Sequence, residues 1–156
     1  IGLSILSQNF DNVLALDNDK YLLSQAKKFC EFDNVDFILH DFYEAPLNKK
    51  YSSAVCFDVI SSIPKEFEDS FLGNVAKSLN SDGVLVIGTQ NKLTTKYSKK
   101  ENLLEQPNFK TYEDLRDYVS DKFENTIILS MNDETIHTGK RENAQYFLAI
   151  GFHPLR

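Results

Sequence analysis

Three carboxylates stand where short apolar runs end. Asp17 follows Val13-Leu14-Ala15-Leu16, Asp41 follows Val35-Asp36-Phe37-Ile38-Leu39-His40, and Asp58 lies towards the end of a third apolar run, Ser53-Ala54-Val55-Cys56-Phe57-Asp58-Val59-Ile60. Apolar runs of this length between polar flanks read as parallel strands buried on both faces. In open α/β sheets, ligands bind at the carboxyl ends of such strands. A carboxylate there offers two acceptors at one point, which suits the paired hydroxyls of a ribose. For Asp17 the bland alternative is a cap on the helix that begins nearby.

The elements that would position these acids alternate along the chain. A short helix over Gly2–Phe10 precedes the Val13 strand. A helix over Lys20–Phe32 follows, with Leu22, Leu23, Ala26, Phe29 and Cys30 on one face. After the strands ending at Asp41 and Asp58, Glu66–Leu79 reads as a helix with Phe67, Phe71, Leu72, Val75 and Leu79 in register. Asn80-Ser81-Asp82-Gly83 then places a glycine where a left-handed cap is expected, and Gly83–Gly88 is a fourth strand. Residues 89–110 are polar and aperiodic, and are expected to form a mobile loop over a ligand site. Thr111-x-x-Asp114 opens a further helix as a capping box with Asp in place of Glu. Strands over Asn125–Met131 and Asn143–Phe152 close the chain, and their short link allows only an antiparallel hairpin. The predicted fold is a doubly wound, mostly parallel α/β sheet with a C-terminal antiparallel β-hairpin.

Composition narrows the field. The 156 residues, 42% hydrophobic and 26% charged, fit one ordinary globular domain. A net charge of -6 argues against binding a nucleic-acid backbone non-specifically. Cys30 and Cys56 have no metal-binding spacing, so buried, reduced thiols of a cytoplasmic protein are expected. No apolar run approaches the roughly 20 residues that cross a bilayer. The three histidines, His40, His137 and His153, form no metal cluster. His40, inside a strand, is expected to be buried and structural, and His153 receives no role.

In this order the elements resemble class I S-adenosylmethionine-dependent methyltransferases over nearly the whole chain. Ile1-Gly2-Leu3-Ser4 resembles the tail of that family's glycine-rich turn, and Asp17, with Asn18 after it, falls at its ribose-binding acid. Asp41-Phe42 matches the position that reads the adenine amino group. Phe57-Asp58 matches the segment along the adenosyl and methionine moieties, and Ser78–Leu85 resembles the turn before strand five, without its proline and one glycine. The resemblance thus implies S-adenosyl-L-methionine as cofactor, with Gly2, Asp17, Asn18, Asp41, Phe42, Phe57 and Asp58 around it in a single domain, 1–156. If Gly2 ends the glycine turn, the family's first strand is not in this sequence. A fragment of a longer gene product is then expected, with weakened cofactor binding.

Methyl transfer from a sulfonium needs alignment first, and a base only when the acceptor loses a proton. Acceptor-side candidates are Gln90, Asn91, Tyr97, Gln106 and Asn108 on the loop, and Asn132 after the fifth predicted strand. Met131-Asn132-Asp133-Glu134-Thr135-Ile136-His137-Thr138-Gly139 is similar to a segment in small bacterial methyltransferases, some linked to sugar or surface-polysaccharide chemistry. The resemblance implies a small-molecule acceptor, with His137 as base or orienting donor; against it stands a hairpin-turn histidine that is exposed or bonded to backbone. Lys92, Lys96, Lys99 and Lys100 either attract an anionic substrate or form a solvated loop. A nicotinamide-dependent oxidoreductase would use Asp17 in the same way, but no GxGxxG follows Gly2. A non-catalytic interaction module is the remaining alternative.

Overall fold

The computed structural model describes residues 2–94, 108–133, 135–139 and 141–155, and the chain divides into two compact units, Ile1–Asp41 and Phe42–Arg156. The first unit contains α1 (Gly2–Asn9), β1 (Val13–Asp17), α2 (Lys20–Phe29) and β2 (Val35–Leu39). β1 and β2 pair in parallel from Val13↔Val35 to Asp17↔Leu39. Asn34 ties the entry to this ladder: its side-chain amide donates to the Ser7 and Phe10 carbonyls, and its own carbonyl accepts from Val13 N–H. α2 ends earlier than predicted because Cys30 is already extended. Its expected apolar face is only partly covered, since Leu22 and Phe29 remain 54% and 75% exposed. A two-stranded sheet offers too narrow a surface to bury a helix.

The second unit contains β3 (Tyr51–Phe57), α3 (Glu68–Lys77), β4 (Leu79–Gln90), α4 (Tyr112–Ser120), β5 (Phe123–Asn132), β6 (Thr135–His137) and β7 (Tyr146–Pro154). Its five strands run in the order β3-β4-β7-β5-β6. β3 and β4 are parallel, whereas β7 is antiparallel to both of its neighbours. The closing antiparallel pair is therefore present, and the last strand in sequence lies between β4 and β5. Among the described residues β1 pairs only with β2 and β3 pairs only with β4, so the strands form two sheets.

Strand alternation in the larger unit sends Leu85 and Ile87 of β4, and Phe147 and Ala149 of β7, into one core. Phe71, Leu72 and Val75 of α3 and Leu115 and Val119 of α4 complete that core. The predicted capping box starts α4: Thr111 Oγ1 accepts from Asp114 N–H, and Asp114 Oδ2 accepts from Thr111 N–H. Gly83 departs from expectation. α3 ends at Ser78 in a right-handed conformation, β4 already runs from Leu79, and no described glycine has a positive φ. Gly83 is instead a close-packing position, where an added Cβ would meet Leu79 Cβ at 2.8 Å and the Asn80 carbonyl oxygen at 2.9 Å.

A buried polar knot joins α3 to the start of α4. Lys110, only 7% exposed, forms an ion pair with Glu68 and lies over the Tyr118 ring. The Asn108 amide donates to Glu68 and to the Ile63 carbonyl, while Tyr118 Oη donates to the Glu68 carbonyl. Glu68 is only partly buried, but its removal would leave the buried Lys110 ammonium without its counter-charge. Glu68→Ala should therefore lower stability by about 3 kcal/mol, read from the urea midpoint, with a smaller loss in Glu68→Gln.

Candidate functional site

In the first unit, two acids at the end of β1 divide the local work. Asp19 caps α2, its Oδ1 accepting from the Tyr21 and Leu22 N–H groups at 2.7 and 3.1 Å. Asp17 is thereby excluded as the helix cap. Its Oδ1 accepts from Asp19 N–H at 2.8 Å, and its second oxygen has no partner among the described residues. The carboxylate is thus oriented by backbone and keeps acceptor capacity at the strand's carboxyl end. Asn18 beside it is exposed. His40 lies beyond β2 and is half-buried, which corrects the expectation of a buried strand residue. Its N–H donates to the Asp17 carbonyl, and Asp41 follows two residues past the last rung of the ladder.

In the second unit, parallel β3 and β4 put Asp58 and Gln90 at one end of the sheet. The antiparallel β7 brings its first residue, Tyr146, to the same end, opposite Gln90. Asp58 has φ 58°, its N–H donates to the Gly88 carbonyl, and its own carbonyl accepts from Ser61 Oγ at 2.7 Å. A left-handed conformation in a non-glycine residue is held by its surroundings and clusters at functional positions. Tyr146 reaches back over Gly88, where an added Cβ would come within 2.6 Å of its hydroxyl and 2.9 Å of the Phe57 ring. Burial, reinforced by the neighbouring Asp58 carboxylate, pushes the Tyr146 hydroxyl well above its ordinary range. It is therefore a hydrogen-bond donor at neutral pH, not a base. Phe57 is half exposed beside it, whereas the Phe42 ring packs edge-on against Phe71.

Asn132 and His137 meet across the β5–β6 turn, with Asn132 Oδ1 lying 2.8 Å from His137 Nε2. His137 is half-buried in β6, and among the described residues its ring is bonded to the Asn132 side chain, which departs from the exposed or backbone-bonded alternative. Asn91 is fully buried and its amide serves the fold: Nδ2 donates to the Ala144 carbonyl at 2.8 Å and Oδ1 accepts from Leu93 N–H. Asn108 is likewise committed to the knot around Glu68. Tyr97, Gln106, Lys96, Lys99 and Lys100 lie outside the described residues, as does most of the predicted 89–110 loop. Gly2 is the first residue of α1, with no atom within 4 Å of an added Cβ. No group of metal-ligating side chains occurs among the described residues, nor any helix long and apolar enough to cross a membrane.

Sequence reasoning missed Gly88 and Tyr146. A glycine ending an otherwise apolar strand was the available signal for the first. Tyr146 had none, because its place depends on the β4–β7 register.

Neither a protein-family model nor a curated protein sequence matches the chain. Solved structures do. A TehB-like S-adenosylmethionine-dependent methyltransferase from Corynebacterium glutamicum is 17% identical with a TM-score of 0.66, the match covering 96% of this chain and 72% of that one. The N-methyltransferase NodS from Bradyrhizobium japonicum, in complex with S-adenosyl-L-homocysteine, is 11% identical with a TM-score of 0.71, covering 98% and 72%. A structure described as a pericyclic reaction enzyme is 11% identical with a TM-score of 0.65, covering 97% of this chain and 39% of that one. The chain has the Rossmann-like fold of the class I S-adenosylmethionine-dependent methyltransferases.

Two outcomes test this geometry. Gly88→Ala should destabilise by about 1–3 kcal/mol through overpacking. If Tyr146 is the obstruction, Gly88→Ala/Tyr146→Ala should be less destabilised than the sum of its single variants in a denaturation cycle. Burial raises the Cys56 thiol from 9.0 to about 12. Its contribution to stability should be complete below pH 9.0 and decline as pH rises towards about 12, because only the unfolded chain ionises in that window. Urea midpoints of Cys56→Ser should accordingly fall less steeply with alkaline pH than those of the parent.

Proposed function

We propose that this chain binds S-adenosyl-L-methionine and directs methyl transfer to a small-molecule acceptor. The observation that carries the reading is Asp17: the neighbouring acid caps the helix, leaving this carboxylate oriented at a strand end with acceptor capacity for a ribose diol. The fold, shared with solved methyltransferases, supports it. When bound, the cofactor supplies an activated methyl group on a sulfonium.

Asp17 would hold the ribose with Asn18 beside it, Asp41 and Phe42 would define the adenine end, and Gly2 would offer backbone at the start of α1. Phe57 and Asp58 would line the methionine side. Tyr146 and Asp58 fix each other, so the tyrosine presents a protonated donor. His137 is the basic group of the acceptor side, and Asn132 is its companion. A sugar or surface-polysaccharide precursor, handled in the cytoplasm, is the acceptor class that the His137 segment favours.

The test begins with binding. S-adenosylmethionine and S-adenosylhomocysteine should raise the melting temperature, and NAD should not. Asp17→Ala should weaken binding by about 1.5–3 kcal/mol, the worth of hydrogen bonds to a charged group, as measured by calorimetry. Unchanged affinity in that variant, or stabilisation by NAD alone, would overturn the assignment.

A further inference from the structure

We infer that Asn132 is a positioning residue that fixes the tautomer of His137, with the proton on Nε2 and the lone pair on Nδ1. The inference rests on the methyl-transfer reading for its chemical purpose, but its geometry stands on hydrogen bonds alone. Asn132 Nδ2 lies 2.9 Å from the Asn143 carbonyl oxygen. A carbonyl only accepts, so the amide nitrogen must face it and Oδ1 must face the imidazole. Oδ1 also only accepts, and it lies 2.8 Å from Nε2. Nε2 therefore carries the hydrogen in the neutral ring. Nδ1 has no partner among the described residues, which leaves it as the basic nitrogen.

The anchor for this arrangement is itself held. Residues Arg141–Asn143 form a 3-10 turn closed by Ala144 N–H on the Arg141 carbonyl. Ala144 is fully buried, and its carbonyl accepts from both Asn91 Nδ2 and Thr94 Oγ1 at 2.8 Å. Gln145 N–H donates to the Met131 carbonyl, tying the same segment to β5. The buried amide of Asn91 thus braces the turn that orients Asn132, which in turn orients His137.

The chemistry that follows is a proton transfer at a stated atom. Nδ1 takes the proton from an acceptor group as that group becomes nucleophilic. The ring then carries a hydrogen on each nitrogen, and its charge is met by Asn132 Oδ1 through a strengthened bond at Nε2. Such a base serves an acceptor that loses a proton on methylation, as a hydroxyl does.

The full chain, labelled with 15N-histidine, tests this without cofactor or acceptor. Two-bond proton–nitrogen correlations at about pH 8.5, where an ordinary imidazole is neutral, should show His137 with the hydrogen on Nε2. Asn132→Leu, which keeps neither hydrogen bond, should show averaging between the two tautomers, and Asn132→Asp, which keeps an acceptor, should return the Nε2–H form. An Nδ1–H or averaged pattern in the parent chain overturns the proposal, as does an unchanged tautomer in Asn132→Leu. If Asn132→Leu fails to fold, the parent and Asn132→Asp spectra decide. Failure to bind S-adenosylmethionine counts against the methyl-transfer reading instead, so the two failures are distinguishable.

Discussion

The larger unit depends on the insertion of β7 between β4 and β5. β7 is hydrogen-bonded to β4 from Tyr146 to Phe152 and to β5 from Tyr146 to Pro154. A central strand with partners on both edges satisfies its backbone without water. Its alternate residues, Phe147 and Ala149, enter the core with Leu85 and Ile87. The same pairing brings the first residue of β7 to the carboxyl ends of β3 and β4, where Tyr146 meets Asp58. One ladder therefore builds both the core and the chemistry-bearing edge.

That edge is braced by buried polar groups. Asn91 and Lys110, at either side of the polar stretch after β4, are both buried and are joined by a parallel bridge. Asn91 fastens the Ala144 carbonyl, and Lys110 fastens Glu68. Buried groups with their partners in place rigidify and specify a local structure, whereas one missing partner is costly. Residues that look from sequence like free polar side chains of a ligand loop, Asn91 and Asn108, are consequently committed to holding the backbone.

Fold and function are separate conclusions. A pericyclic reaction enzyme shares the fold with methyltransferases, and folds of this kind host unrelated chemistry on grafted sites. The functional assignment has to rest on individual side chains: Asp17 with an oxygen to spare, Tyr146 held as a donor, and His137 bound through Nε2.

Local physics was legible in the sequence. The apolar runs ending at Asp17 and Asp58, the Thr111–Asp114 capping box and the closing antiparallel strands all depend on residues near one another in the chain, where periodicity and capping chemistry act. Asp17 was legible as a strand-end acid, but whether it or Asp19 capped α2 was not. That choice turns on backbone direction over Asp17–Lys20, and the structure assigns it to Asp19. Gly83 looked like a helix stop because glycine tolerates positive φ, yet its lack of a side chain serves close packing. Gly88, Tyr146 and the Asn132–His137 pair were decided by register between strands distant in sequence. No local pattern encodes which residue of β7 lies opposite Gln90, because that register is set by how the apolar faces of β4, β5 and β7 bury together.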